Sequence, residues 1–580
     1  MKVPSNQFGF EELRAARRES RALFWAAGLF SAFVNLLMLT GPLYMLQVYD
    51  RVLGSRSVAT LLALTALVVF LYTMMGLLDY ARGRIMARAG ARFQARLDKR
   101  VFDAVMRKNA LGHQDETALA LRDLEAVQRL LTSPALMALF DMPFAPLFLF
   151  GIFLFHPWLG YLAIVGGALL IVLTLTNLLA TRRPLNRANS AVAHAEILSE
   201  QIRSEAEMIE AMGMRASAFA RWQKARTASL SEHMTAADLS GVFTTSGKAF
   251  RLLLQSAMLG LGAYLVLQNQ LTPGAMIAGS ILMGRALAPI EMSIGHWPLF
   301  ARARKGWQVL AQLLSDVPPE HTRMPLPRPN ALLEVIQVTV VPPGEAQASL
   351  KVVNFTVKPG QAVGVIGKSG AGKSSLARAL TGAWRPAGGK IRLDGAALDQ
   401  YDPTILGDLI GYLPQRVELF EGTIAENIAR LSLAPDAAAV VKAAQRADAH
   451  AMIVALPDGY DTKVSANGGR LSGGQIQRIG LARAMYGDPV VLILDEPNSN
   501  LDNDGSQALN RAISTFRKEG KSVLIMAHRP AAIEQCDILL MLEEGRVLSF
   551  GPKEEVLRRM VQNHSEITKQ AGKGEGGGTL

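Results

Sequence analysis

The sequence predicts a multidomain chain: an all-α transmembrane domain of six helices, followed by an α/β P-loop nucleotide-binding domain. Three observations carry that prediction. Six apolar runs of membrane length crowd into the first three hundred residues. A glycine-rich turn, Gly367–Ser374, follows a β-branched run and opens a helical pattern. A second apolar run, VVLILDEP, ends in two adjacent acids, Asp495 and Glu496.

Bulk composition narrows the class. Half of the 580 residues are hydrophobic and 19% are charged, with a net charge of +12 from 61 basic and 49 acidic residues. Such an excess fits nucleic acid, an anionic lipid surface or the cytoplasmic loops of a membrane protein. Arg82, Arg84, Arg88, Arg92, Arg96, Lys99 and Arg100 directly follow an apolar run, and a single aromatic, Phe93, falls among them, too few for a base-stacking platform. The charge is assigned to the loops, and no nucleic-acid partner is expected. The single cysteine, Cys536, precludes an intrachain disulfide and fits a reducing compartment.

The N-terminal segment 1–21 is mixed in charge, and the run after it is too long for the apolar region of a signal peptide. A bilayer core of about 30 Å needs about 20 apolar helical residues. On that basis the transmembrane domain covers 22–310, with spans at about 22–46, 58–80, 135–156, 158–180, 249–268 and 274–298. The long segments 81–134 and 181–248 are rich in Lys and Arg, which places them in the cytoplasm as protruding helices. The short hairpins are then external. In the first of them, LTGPLYMLQVYDRVLGSRS, Asp50, Arg51 and Arg56 form an outer turn that ends two helices.

Several charges fall inside or beside spans. Lys248 and Arg251 begin the fifth; Arg285, Glu291 and His296 lie in the sixth; Asp141 stands beside Pro143 and Pro146 in the third. Intramembrane charges are costly and face a cavity or a partner. Two readings stand side by side: a polar translocation path with membrane lipid around it, or a structural Arg–Glu pair with helix-end snorkelling.

After a linker, 311–331, the nucleotide-binding domain covers 332–566, and 567–580 is a flexible glycine-rich tail. Its P-loop comprises Gly367, Lys368, Ser369, Gly370, Ala371, Gly372, Lys373, Ser374 and Ser375. Glycines let successive N–H groups converge on phosphate oxygens at a helix N-terminus. Lys373 is placed to reach the β- and γ-phosphates of ATP, and Ser374 to ligate Mg2+. Asp495 suits the Mg2+ role and Glu496 the polarisation of the attacking water, since both end a buried strand. In LSGGQIQRIGLARAM, Ser472, Gly473, Gly474 and Gln475 open an amphipathic helix and form a second phosphate-cradling end. One site does not need two cradles in the same chain, so each LSGGQ is expected to close over ATP held by a partner copy.

P-loop, LSGGQ and DEP in that order resemble the nucleotide-binding domain of an ATP-binding cassette (ABC) protein, and six preceding spans match the ABC exporter plan. The resemblance covers essentially the whole chain. It implies an ATP hydrolase coupled to transport, with catalytic Glu496 and His528 (in IMAHRP), a Mg2+-sensing Gln415 (in GYLPQ) and a D-loop Asp502 (in SNLD). Two departures stand out. Val341, Pro342 and Pro343 occupy the place where exporters carry an adenine-stacking tyrosine. Ala466 stands near the place of an acidic residue that speaks to the membrane domain.

The phrases LYMLQVYDRVLGSRSVATL, ALFDMPFAPLFLFGIFLFHPWLG, EAMGM and LDEPNSNLD narrow the resemblance to the inner-membrane ATPase-permease of bacterial type I protein secretion, in its protease-exporter branch. That family implies a multi-pass homodimer in the bacterial inner membrane with a cytoplasmic nucleotide-binding domain. It implies a periplasmic membrane-fusion adaptor, a trimeric outer-membrane duct, and a secreted, unfolded protein substrate with a C-terminal signal. About twenty residues before the first span leave no room for a peptidase-like domain. The competing expectation is an exporter of lipids or small amphipathic molecules driven by the same engine.

Overall fold

The structure, a computed structural model, describes residues 8–111, 120–319, 323–465, 471–527 and 533–558. It divides into two compact units, Met1–Met106 with Asp115–Pro319 and Arg107–Gln114 with Glu320–Leu580.

In the first unit, six helices are long and apolar enough to cross a membrane: Arg21–Ser55, Val58–Ala110, Pro134–Phe155, Pro157–Ser204, Arg215–Leu267 and Pro273–Gly295. Three of them run on far past their apolar stretches, to 53, 48 and 53 residues. Their charged continuations keep helical periodicity and hold a single internal proline, Pro184. Nothing in the backbone therefore stops the helix at the edge of the apolar zone. The fourth and fifth pack along one another. One buried cluster, with Phe148, Ile152, Leu159, Leu254, Met258 and Leu282, joins the third to sixth spans. A second, with Leu13, Phe93, Leu97, Leu124, Leu310 and Leu314, binds the N-terminal helix Phe8–Arg18 to the charged extension of the second span and the helix Trp297–Asp316.

The first hairpin differs from the expected outer turn. Helix continues through Asp50 and Arg51 as a π-helical stretch, Val48–Val52, then as Leu53–Ser55. The reversal is confined to Arg56, left-handed at φ 52°, and Ser57. Asp50 is exposed but does not break the helix. Its Oδ1 accepts from Gly274 N at 2.9 Å and its Oδ2 from Thr272 Oγ1 at 2.7 Å, so it caps the sixth span from the end of the first. A side chain at Gly274 would strike that carboxylate, its Cβ falling 2.6 Å from Oδ1.

Asp141 and Arg82 belong to one buried polar network. Arg82 Nη1 donates to Ser31 Oγ (2.7 Å) and Asp141 Oδ1 (2.6 Å), and Nη2 donates to Asp79 Oδ1 (2.7 Å). Asn35 Nδ2 donates to the same Asp141 oxygen at 2.8 Å. Three spans are thereby tied at one level, beside the 3-10 turn Met142–Phe144 that Pro143 imposes. Asp141→Ala is expected to leave Arg82, 7% exposed at its side chain, short of its main counter-ion. The cost is expected toward the lower end of about 3–5 kcal/mol, because Asp79 still accepts from Nη2. It should appear as a lower Tm in detergent, with Arg82→Leu plus Asp141→Leu recovering most of it. An unchanged Tm for Asp141→Ala would show that the pair contributes nothing.

The second unit is built on two sheets. Strands β1 (Leu333–Val340), β2 (Leu350–Val357), β4 (Gly388–Leu393) and β5 (Ala396–Ala397) form an antiparallel sheet ordered β2-β1-β4-β5. Strands β3 (Ala362–Ile366), β6 (Ile410–Leu413), β9 (Val491–Asp495), β10 (Ser522–Ala527), β11 (Ile538–Glu543) and β12 (Arg546–Pro552) form a sheet ordered β12-β11-β3-β10-β9-β6. A separate pair joins β7 (Gly422–Thr423) to β8 (Lys463–Val464). In the six-stranded sheet all neighbours are parallel except β11 and β12. Every residue of β9 and β10 is buried, as expected of parallel strands covered on both faces. The register sets Met526 against Asp495 and Ala527 against Ile366. The carboxyl ends of β3, β9 and β10 thus lie side by side, where an open α/β sheet binds its ligand.

Candidate nucleotide site

The P-loop turns from β3 into the helix Lys373–Leu380 through two left-handed glycines, Gly370 (φ 82°) and Gly372 (φ 100°). Gly367 must also lack a side chain, since a Cβ there would lie 2.4 Å from Leu542 O. Lys373 is buried, and its Nζ donates to Gly367 O (2.8 Å) and Lys368 O (3.1 Å), across the loop that phosphate would fill. Burial pulls the Lys373 pKa below its ordinary value, against the pull of Glu496 and Asp495. A phosphate arriving here meets an ammonium held by two carbonyl dipoles within the field of Glu496 and Asp495.

Asp495, 2% exposed, ends β9 and receives a hydrogen bond from Ser374. Burial raises its pKa, opposed by that bond, while the neighbouring Glu496 charge raises it further. Among the described residues its Oδ1 is buried without a hydrogen-bond partner. An orphaned carboxylate oxygen beside a hydroxyl is a hard-oxygen donor pair of the kind Mg2+ takes, so these residues fit that ion. Glu496 follows in a left-handed conformation (φ 50°), its N–H bonded to Met526 O at 3.0 Å. Gln415, just beyond β6, donates from Nε2 to Glu496 Oε2 at 3.0 Å. Gln415 therefore meets the expected site through Glu496.

Ser472 caps the helix Gly473–Met485 in a reciprocal box: its Oγ accepts from Gln475 N (3.3 Å) and Gln475 Oε1 accepts from Ser472 N (2.9 Å). Gly473 and Gly474 lie against Asn500, where a Cβ would approach to 3.5 Å and 3.2 Å. Asp502 caps the next helix, Asn503–Lys518, accepting from Gly505 N at 2.7 Å. One link was not legible as a site. The buried Gln477 donates to Pro497 O at 2.9 Å, fastening the LSGGQ helix to the loop after Glu496. A glutamine on the inner face of an amphipathic helix is its only sequence signal.

His528 and Ala466 lie outside the described residues. His528 is the next residue in sequence after Ala527 of β10. Val341, Pro342 and Pro343 follow β1 in a turn closed by Glu345 N to Pro342 O at 3.1 Å, with Pro342 buried. In the membrane unit, Arg251 Nε stands 2.9 Å from Glu291 Oε2, joining the fifth and sixth spans. These two form the structural pair, and Arg285 is not part of it.

Comparison with known proteins agrees with this geometry. Residues 24–288 match the ABC transporter transmembrane region, and 350–499 match the ABC transporter model. The chain is 44% identical to the type I secretion system ATP-binding protein PrsD of Rhizobium meliloti, over 94% of each chain. It is 28% identical to the alpha-hemolysin translocation ATP-binding protein HlyB of Escherichia coli, over 95% of this chain and 78% of that one. Among solved structures, a bacterial Atm1-family ABC exporter with ATP bound superposes with a TM-score of 0.79 at 23% identity, covering 95% of this chain and 98% of the other. That likeness is one of fold.

Proposed function

The chain belongs to the ABC transporter family, among the type I secretion ATP-binding proteins, and from this premise we infer that it exports unfolded proteins across the bacterial inner membrane at the expense of ATP. The observation that carries the reading is similarity to PrsD along 94% of both chains, membrane and nucleotide units alike. The protein is multi-pass, with its ATPase domain in the cytoplasm.

In the proposed cycle, the P-loop residues 367–375 hold the phosphates of ATP, with Lys373 on the β- and γ-phosphates. Ser374, Asp495 and Gln415 hold Mg2+, which neutralises charge on those phosphates when bound. Glu496 orients and deprotonates water, and His528 meets the γ-phosphate. The chain acts as a homodimer, in which Ser472, Gly473, Gly474 and Gln475 close over the partner's ATP and Asp502 borders the joint. ATP shifts the open–closed equilibrium only by preferring the closed pair, and hydrolysis removes that preference. A periplasmic adaptor and a trimeric outer-membrane duct complete the route, and the cargo carries its signal at the C-terminus.

Deleting the gene in its host and comparing the extracellular proteome tests this. One or more secreted proteins should vanish from the medium and return on complementation. An unchanged set, with ATP hydrolysis by the purified protein stimulated by lipid or drug alone, would overturn protein export.

A further inference from the structure

We propose that Arg285 contacts carboxylate groups of the exported polypeptide as it crosses the membrane, a role that rests on the protein-export reading above. Arg285 is the thirteenth residue of the helix Pro273–Gly295. At 1.5 Å per residue it lies about 18 Å from the outer end, near the middle of a core about 30 Å thick. It is exposed, while Leu282, Met283, Ala286 and Leu287 around it are buried. Ile277, Ile281, Ala288 and Met292 share its open face at spacings of three and four residues. The face is an apolar stripe carrying a single cation.

A guanidinium turned to lipid at that depth costs about 2.5–3.5 kcal/mol even on the gentlest scale. The stripe therefore turns toward water or a counter-charge. The chain's own acids do not supply one. Asp50 is held by Gly274 and Thr272, Asp79 and Asp141 by Arg82, and Glu291 by Arg251. These are the acids in or beside the apolar stretches of the six helices, the others (Asp98, Asp103, Glu196, Glu200, Glu232 and Asp238) lying on the charged extensions, so a second copy brings none to mid-depth either. Among the described residues Arg285 has no hydrogen bond or ion pair. Lipid phosphates stay at the membrane faces, far from mid-depth. The anion that does pass mid-depth is a carboxylate on the moving chain, and Met292 and the isoleucines offer it non-specific apolar contact.

Ile281→Cys places a reporter thiol one turn outward on the same face. The remaining thiol, Cys536, is buried with its pKa pushed up to about 12, so it stays silent. The full chain, in vesicles of phosphatidylethanolamine and phosphatidylglycerol, is treated with sulfonatoethyl and trimethylammonioethyl methanethiosulfonate. Both should react. Their anionic-to-cationic rate ratio should fall about tenfold on adding Arg285→Gln and hold with Arg285→Lys, as expected for one nearby charge. An unfolded aspartate-rich peptide of thirty residues should slow modification, and its all-asparagine counterpart should not. No reaction with either reagent, or a ratio indifferent to Arg285→Gln, would overturn the proposal. Equal protection by both peptides would also overturn it while leaving protein export standing. No protection by either, with lipid or drug alone stimulating ATP hydrolysis, would remove both readings.

Discussion

Glu496→Gln is expected to bind ATP and stall. The amide keeps the size of the carboxylate, and its oxygen can still accept the hydrogen bond that Gln415 gives Glu496 at 3.0 Å. The left-handed backbone at φ 50° and its bond to Met526 O do not depend on the side chain. The capacity to take a proton from water is lost, together with the negative charge that acts on Lys373 and Asp495. General-base catalysis contributes about 10²–10⁴-fold, so phosphate release should drop by that order while ATP remains bound. Gel filtration after incubation with ATP should then recover the chain with unhydrolysed nucleotide still bound. Normal turnover in this variant would remove Glu496 from the catalytic role.

Lys373→Ala should fail one step earlier. The ammonium lies buried between Gly367 O and Lys368 O, already stripped of most water. It therefore meets phosphate without a large further desolvation cost. A charge-assisted hydrogen bond contributes about 1.5–3 kcal/mol, which translates to ATP binding weaker by one to two powers of ten or more. Affinity and secretion should be lost together. Melting of the nucleotide-free variant checks the fold, because the lost lysine also releases two carbonyls that tie the empty loop. Unweakened ATP binding with an intact fold would show that another residue carries the phosphates.

How much of this could be read in the chain itself depends on the range of the interaction. The P-loop, the buried run into Asp495 and the Ser472–Gln475 capping box are local patterns, written within a few residues. Hydropathy located six spans because lipid solvation acts residue by residue. It could not show that helix continues through Asp50, since the change there is in hydrogen-bond register. Arg82 likewise reads as the first of a row of cytoplasmic charges, yet it is buried against Asp141, 59 residues away. The Gln415–Glu496 bond spans 81 residues and the Asp50–Gly274 bond 224. Such pairings exist only once the fold has brought the partners together.

The Asp50 cap has a mechanical consequence. By clasping Thr272 and Gly274, it rivets the outer tip of the first span to the outer tip of the sixth. Any widening of the mouth on that side must carry both tips as one lever. A seam that parts on that side is therefore expected to run along other helices, and Asp50→Ala to loosen the two tips from one another.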